Sequence, residues 1–428
     1  MLKQFKIYYL FLIFIGILAC NSNSTSHNSN NPINQQTRND SPEVDSISWH
    51  TNQYARLFRI GINQEDTFLM IYFDSVSALA GYFWGTSPQT RYPQFKKIES
   101  RHQIASLSVT NTRFLKELKL LKQVVAVDRF QYHDPTIYPL NKTCTQVGDA
   151  TGNIHKESLI KHNVNLTLCN LVEMGSIADW ERIENKNHKV IFIQNFWEPH
   201  PLARAEWIRV YGYLFGKVKE SELLFQQIVS SYDSIKRSIP TKTTTINVMI
   251  NLPYSGSWMV PKRQNYLTQI VQDAGGNCLW LRNSANFKGV GSLQISMEQA
   301  LNDLSKSDVL LNPGSFTTKK QAESVDSRIV KLPNWKTLPF LQCDLHATNN
   351  GYNPFWDDGM LHPEKILSDL NQLFNQLQLE SDFKKSTSGN SHTSKAGQTP
   401  PQNNIKPSIQ KSKTYTPSAP FYYYRIIQ

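Results

Sequence analysis

Apolar residues recur along this chain with two different periods, and the order of these periods predicts the fold. Between residues 54 and 98, apolar and polar residues alternate in segments such as "TFLMIYFDSV", which is the pattern of strands with one buried face. From residue 100 onward, short apolar runs such as "HQIASLSV" and "KQVVAVD" alternate with helical segments such as "NTRFLKELKLL". Strands that alternate with helices indicate parallel pairing, with helices on the faces of the sheet.

This alternation stops between residues 203 and 239, where no strand signal remains. Leu224, Ile228 and Tyr232 recur there at helical spacing, and residues 219–239 predict a single helix about 30 Å long. Strands and helices then alternate again from "TTTINVMINLP" onward. We therefore predict an α/β protein of two lobes, each with a mostly parallel sheet and flanking helices. One long backbone helix joins the lobes, and an N-terminal β extension precedes them.

The start of the chain has the composition of an export signal. Lys3 and Lys6 precede a mostly apolar run, residues 8–19, which is shorter than the roughly 20 residues that span a bilayer. The four residues that end at Cys20, "ILAC", resemble the lipobox of bacterial lipoproteins. This resemblance implies that Cys20 is lipidated and becomes the first mature residue. The protein would then be exported and anchored to a membrane, on the periplasmic side or at the cell surface. An ordinary secretory signal that contains a cysteine is the alternative.

Seven parts follow from these patterns. In order, they are a lipoprotein signal peptide (1–20), a disordered tether (21–48), the N-terminal β extension (49–99), the N-terminal lobe (100–202), the linking helical backbone (203–240), the C-terminal lobe (241–380) and a low-complexity basic tail (381–428).

The formal net charge of +11 does not indicate a nucleic-acid-binding surface. The tail contributes +6 and the signal +2, which leaves +3 for residues 21–380. Nucleic-acid binding needs a basic face on a folded domain, so we expect no nucleic-acid partner.

The four cysteines after Cys20 do not have the spacing of a zinc site, and we expect no resident metal or cofactor. Two arrangements stay open. Cys144 could pair with Cys169, and Cys278 with Cys343, or all four could be buried thiols.

Five segments between residues 100 and 375 together resemble one family. They are "HQIASLSVTNTRFLKELKLLKQVVAV", "VGDATGNIHKESLIKHNVNLTL", "EPHPLARAEWIRVYGYLFGK", "GSWMVPKRQNYLTQIVQDAGGN" and "NPFWDDGMLHPEKILSDLNQLF". In this order they are similar to the substrate-binding proteins of ABC importers for ferric siderophores, haem and cobalamin. The resemblance implies a monomer that captures a metal chelate, first of all a ferric siderophore, and delivers it to a permease dimer. Cobalamin and haem are the alternative cargoes.

One helical unit occurs twice, as "NIHKESLIKHNVNLTL" and "ISMEQALNDLSKSDVLL", with Glu157 and Glu298 at matched positions. In the family, a surface glutamate of each lobe contacts an arginine of one permease subunit, which implies this role for both residues. The alternative is that they only complement the helix dipole, with Ser296 and Gln299 forming a capping box.

Ligand-binding residues are expected at the carboxyl ends of the strands, where α/β folds leave a crevice. The candidates are polar or aromatic, which suits a flat chelate, and they are Ser108, Thr110, Asn170, Trp197, Arg204, Tyr254, Trp258 and Trp356. About half of the aromatic candidates could be core residues instead. Arg204 could equally form a structural clamp with Glu198 or Glu206. For a haem cargo, His200 and His133 could be iron ligands, although lone loop histidines are more often surface residues.

No catalytic motif stands out. The chain has no GxSxG elbow, no HExxH and no glycine loop for phosphates, and we predict that it is not an enzyme. Two hypotheses from other functional classes remain. The protein could be a tethered enzyme that reuses the fold, or a surface interaction protein that works through its basic tail.

Overall fold

The structure is a computed structural model, and it describes residues 47–99, 102–128, 131, 144–147, 154–170, 177–239, 245–312, 314, 316, 318–349, 352–389 and 420–427. Side chains of the helix that ends at residue 389 are described as far as residue 379. The predicted signal with Cys20, most of the tether and residues 390–419 of the tail lie outside this part of the chain. Within it, no helix combines the length and the apolar composition that crossing a membrane requires.

The N-terminal extension is a five-stranded sheet with the order β1-β2-β3-β4-β5. Strands β1 to β4 pair antiparallel, and β5 pairs parallel with β4. One face of the sheet covers a small aromatic core that includes Phe68, Phe83 and Tyr92, while Phe58 and Tyr82 on the other face join the main core. The strands are β1 Ser48–Trp49, β2 Phe58–Asn63, β3 Asp66–Tyr72, β4 Ala78–Gly85 and β5 Lys96–Lys97.

The first lobe is built on a fully parallel sheet with the order β10-β9-β6-β7-β8. Its strands are nearly all buried, because helices and the extension cover both faces. The elements are β6 Ile104–Leu107, α1 Val109–Glu117, β7 Val124–Val127, β8 Thr145–Gln146, α2 Lys156–Lys161, β9 Leu166–Cys169, α3 Ile177–Glu181 and β10 Lys189–Phe192.

Three helices form the backbone between the lobes: α4 Pro201–Glu206, α5 Ile208–Leu214 and α6 Val218–Ser238. The last has 21 residues, within one position of the predicted 219–239 at each end. Phe225, Ile228 and Tyr232 form its buried stripe, and Lys236 in its last turn complements the helix dipole.

The second lobe has a sheet of order β13-β11-β15-β16-β17, in which the first four strands are parallel. A separate antiparallel pair, β12 and β14, lies beside it. The elements are β11 Ile246–Ile250, β12 Trp258–Pro261, α7 Tyr266–Asp273, β13 Gly276–Cys278, β14 Ser292–Ile295, α8 Met297–Ser305, β15 Val309–Leu311, α9 Lys319–Glu323, β16 Phe340–Gln342, α10 Asp358–Leu361, α11 Pro363–Gly389 and β17 Arg425–Ile427. Single 3-10 turns occur at Gln89–Arg91, Leu121–Gln123, Asn195–Trp197, Ala285–Phe287, Ile329–Lys331 and Pro354–Trp356.

The predicted fold class is confirmed: two mostly parallel α/β lobes, a helical backbone and an N-terminal β extension. The chain end differs from the prediction, because α11 continues nine residues past position 380 and residues 425–427 form an edge strand. Cys144, Cys278 and Cys343 are buried free thiols, so neither considered disulfide is present.

Candidate functional site

The carboxyl ends of the first-lobe strands bring together three of the predicted residues. The parallel register aligns Leu107, Cys169 and the end of β10, so the residues that follow them lie at one edge of the sheet. Ser108 and Asn170 stand there, and the hydroxyl of Ser108 shares a 3.0 Å hydrogen bond with that of Thr110 in the first turn of α1. Ser108, Thr110 and Asn170 are all buried.

Helix α1 is held at this edge by the amide of Asn111. Its Nδ2 donates to the carbonyl oxygen of Leu168 at 3.2 Å, and its Oδ1 accepts the Tyr211 hydroxyl at 2.8 Å. Tyr211 belongs to α5. The edge of the sheet is therefore connected directly to the helical backbone.

Three further residues at strand ends were not predicted. Gln194 and Asn195 follow β10 and are buried, yet Nε2 of Gln194 and both amide atoms of Asn195 have no hydrogen-bond partner in the described part of the chain. Gln342, at the end of β16 in the second lobe, has an unpartnered Oε1. An unpaired buried polar group costs about 1–3 kcal/mol of folding free energy. We therefore expect water or a ligand to bind to these amides. The sequence signal that could have identified these residues is a polar residue directly after each apolar run.

Three predicted aromatic residues keep part of their surface accessible. Trp197, Tyr254 and Trp356 are half-buried. Trp197 packs edge-on against Phe196 with 5.6 Å between ring centroids, and Trp356 packs edge-on against Phe355 at 4.8 Å. Trp197 and Trp356 are therefore each oriented by an aromatic neighbour, and all three rings keep surface that a ligand could contact.

Two predicted ligand contacts lie in the interior instead. Trp258 is 1% exposed, and its indole N–H donates to the carbonyl oxygen of Ile250 at 3.0 Å. The Trp258 ring packs in the main core, and its one polar atom is already paired within the lobe. The reason is that β12 carries it inward against the end of β11, which the alternation pattern alone does not specify.

Arg204 is 4% exposed, and its guanidinium is used within the protein. It donates to the carbonyl oxygens of Phe196 and Glu198, the latter at 3.1 Å. Its Cζ lies 3.6 Å from the ring centroid of Tyr266, and Nη1 lies 3.5 Å from Sδ of Met360. Burial lowers the pKa of Arg204 to about 10, so the group stays charged at neutral pH. Arg204 is a structural clamp, through carbonyl groups and not through the carboxylates that were expected.

The lobes also meet through an ion pair. Nη2 of Arg113 on α1 lies 2.5 Å from Oδ1 of Asp358 on α10, and 2.6 Å from Oε1 of Glu117. Burial raises the pKa of Asp358, but Arg113 and Lys365 outweigh burial and keep the pKa below its ordinary value. Glu117, Asp358 and His362 are close enough to surround a cation. Since the Arg113 guanidinium already neutralises two of them, they form an ion-pair network and not a metal site.

The two repeated glutamates are both exposed, each in the first turn of its helix. Ser296 Oγ accepts the backbone N–H of Gln299 at 3.2 Å and caps α8, as the sequence predicted. Helix α2 has no side-chain cap. The permease role of Glu157 and Glu298 stays a prediction.

Part of this chain is similar to known proteins. Residues 176–344 match the family model described as periplasmic binding protein. Over 244 residues the chain is 20% identical to an uncharacterized lipoprotein of Methanocaldococcus jannaschii. That match covers 49% of this chain and 53% of the relative, so the chain spans about half the length of the curated relative it matches.

Two solved structures have a similar arrangement. A possible iron-binding (periplasmic solute-binding) protein from Staphylococcus epidermidis superposes with a TM-score of 0.50 and 16% identity, covering 65% of this chain and 98% of that one. A periplasmic heme-binding protein of Vibrio cholerae reaches a TM-score of 0.49 at 16% identity, covering 63% of this chain and 99% of that one. The match of residues 176–344 to the family model and the shared fold of the first structure agree with the resemblance seen in the sequence.

Proposed function

We propose that this protein is the substrate-binding component of an ABC importer, anchored to a membrane through Cys20. It captures a metal chelate between its two lobes, with a ferric siderophore as the first candidate, and delivers it to a permease dimer. Glu157 and Glu298 each meet a cation on one permease subunit. The protein acts as a monomer and binds its cargo without chemical turnover.

The observation that carries this proposal is the set of unpartnered amides at the strand ends. Gln194 and Asn195 in the first lobe and Gln342 in the second offer hydrogen-bond donors and acceptors that the described chain does not use. Half-buried rings, Trp197 and Trp356, follow two of the same strand ends along the chain. Neutral amides and aromatic rings suit a chelate, whose metal is already coordinated and whose outer surface is both flat and polar.

The proposed strand-end contacts are buried, so ligand binding through them would require the lobes to separate. Ser108, Thr110 and Asn170 are buried, and Arg113 and Asp358 hold the two lobes together. Only an opening motion would let a chelate reach these strand ends, and closure would then bury it.

A haem cargo receives less support, because His200 is committed to the protein. Its Nδ1 accepts the backbone N–H of Leu202 at 3.2 Å, and its ring stacks on Tyr54 with 5.0 Å between centroids. An imidazole that caps a helix and stacks on a tyrosine is not available as an axial iron ligand. His133, the other candidate, lies outside the described residues.

The proposal is tested by binding to defined probes. The purified protein should be titrated with ferrioxamine B, a ferric tricatecholate, cyanocobalamin and haemin, with tryptophan fluorescence and calorimetry as readouts. We expect one of the ferric chelates to bind tightly and to quench the fluorescence. Preference for cyanocobalamin or haemin would change the cargo but keep the importer assignment. Binding of none of them, with a folded protein, would contradict the proposal.

A further inference from the structure

The last residues of the chain return to the second lobe as its outermost strand. Strand β17 pairs antiparallel with β16, with Gln342 opposite Arg425 and Phe340 opposite Ile427. The preceding residues are also fixed, because Leu345 donates its backbone N–H to the carbonyl oxygen of Tyr423 at 3.0 Å. We call residues 420–427 the C-terminal strap.

A buried carboxylate on α11 receives the strap. Asp369 is fully buried and accepts the backbone N–H groups of Tyr422, Tyr423 and Tyr424 at 2.9, 2.8 and 3.2 Å. If the strap left, this carboxylate would lose three donors, which is costly for a buried charge. The buried Asp369 carboxylate is thus satisfied only when the strap is docked.

The strap also reaches the contact between the lobes. The buried hydroxyl of Tyr423 donates to Oδ2 of Asp358, whose Oδ1 is the group paired with Arg113 of the first lobe. Lys365 holds Oδ2 from another side at 2.9 Å. Tyr423 therefore helps to orient a second-lobe carboxylate that α1 binds.

The same strap supports the turn that carries Trp356. Phe355 lies between the strap and this residue, with ring centroids 5.8 Å from Tyr423, 5.7 Å from Tyr424 and 4.8 Å from Trp356. Asn353, which caps the turn, is held by a 2.8 Å bond from its Nδ2 to the carbonyl oxygen of Cys343. Packing from the strap is thus transmitted through one buried ring to a candidate ligand residue.

We propose that Tyr423 and Tyr424 are positioning residues for substrate capture. The docked strap orients Asp358 toward Arg113 and orients the Trp356 turn, and so favours the arrangement of the lobes that closes on a ligand. Neither tyrosine touches the ligand. The consequence for binding rests on the proposed function, whereas the consequence for the lobe contact does not.

The first test uses ligand-free protein and hydrogen exchange. Tyr423→Phe removes one hydrogen bond from Asp358, and Tyr424→Leu removes the ring that packs on Phe355. Tyr422→Phe is the matched control, since Tyr422 is 47% exposed. Deletion of the strap could unfold the lobe, so single substitutions are used.

We expect Tyr423→Phe to accelerate amide exchange roughly tenfold in residues 109–117 and 358–361, because those segments are joined by the Arg113 pair. Tyr424→Leu should accelerate exchange in residues 352–357. Strand β11 should be unaffected in both variants. Unchanged exchange in these segments, or equal acceleration throughout the second lobe, would overturn the inference.

The second test uses ferrioxamine B as the probe. Tyr423→Phe should weaken its binding severalfold at a temperature where the variant and wild type are both fully folded, whereas Tyr422→Phe should bind like wild type. If wild type binds the probe and Tyr423→Phe binds it equally well, positioning by the strap is refuted. If wild type binds none of the chelates, the proposed function fails, and the exchange experiment still decides whether the strap sets the lobe contact.

Discussion

The guanidinium carbon of Arg204 lies 3.6 Å from the ring centroid of Tyr266, and this contact joins the helical backbone to the second lobe. The same guanidinium donates to two carbonyl groups in the loop after β10, at Phe196 and Glu198. One buried cation therefore connects both lobes to α4. Its position explains why a residue predicted to bind the ligand is closed off from solvent.

We expect Arg204→Met to lower the free energy of unfolding by about 3 kcal/mol, because it leaves two buried carbonyl groups without their donor and removes the stacking on Tyr266. Arg237→Met, on the exposed side of α6, is the control and should change stability by less than about 0.5 kcal/mol. Urea unfolding measures both. Equal stability of the two variants would show that Arg204 is not a clamp.

Trp258 should behave as a core residue. Trp258→Ala is expected to cost about 3–5 kcal/mol of stability, since it opens a cavity and removes the donor to Ile250. Trp356→Ala should cost much less stability but weaken ferrioxamine B binding by roughly 1–3 kcal/mol, through loss of one aromatic contact. Thermal unfolding and calorimetry of both variants separate these roles. A stable Trp258→Ala protein with weakened binding would reverse our assignment.

Asn195 offers a sharper test of the site, because its amide has no partner in the described chain. Asn195→Leu keeps the side-chain size and removes an unpaired buried polar group, so the melting temperature should stay the same or rise. Binding of the probe that wild type prefers should weaken about tenfold or more. Asn187→Leu, at an exposed position, is the control. A lower melting temperature with unchanged affinity would indicate a purely structural amide.

The two exposed glutamates should matter only for transport. In the Glu157→Arg, Glu298→Arg double variant, like charges would face each other across both permease contacts. The repulsion would cost about a few kcal/mol of binding free energy at each contact. Uptake into vesicles reconstituted with the importer should fail, while ligand affinity and melting temperature of the isolated protein stay at wild-type values. Glu99→Arg reverses an exposed acid elsewhere and should transport normally. Wild-type transport by the double variant would show that both glutamates only complement the dipoles of their helices.

Stability should also depend on pH through Glu198. This carboxylate is buried and accepts the backbone N–H groups of Arg56 and Leu57 from the β extension, at 3.0 and 2.9 Å. Burial raises the pKa of Glu198 from 4.5 to about 7. The folded protein therefore holds a proton that the unfolded chain has released, and this stabilisation is complete below pH 4.5 and lost as the pH rises through 7.

The stability of wild type relative to Glu198→Gln should accordingly fall by up to about 3 kcal/mol between pH 4 and pH 8. Urea unfolding across this range gives the difference, and Glu99→Gln, at an exposed position, is the control. A difference that stays constant, or that grows as the pH rises, would contradict the raised pKa.

Local patterning was sufficient for the elements and their order. The helical spacing of Leu224, Ile228 and Tyr232 predicts α6 to within a residue at each end, because a helix needs only one consistent apolar face. Apolar runs separated by helices predict parallel sheets, because a crossover helix must cover the sheet face. The exposed position of Glu157 and Glu298 also follows locally, since each lies in the first turn of an amphipathic helix.

Two features depended on residues far away in the sequence: which strand-end side chains are buried, and where the end of the tail packs. Trp258 and Trp356 look alike in the sequence, and only the packing of β12 on β11 places the first inside and leaves the second half-buried. The strap pairs with residues more than 80 positions earlier, and its docking needs the Asp369 carboxylate in place. A strand without neighbours in the sequence is stabilised only by the sheet edge with which it pairs. The composition of the tail therefore identified a low-complexity segment, and only the tertiary contacts determine that its end forms a strand.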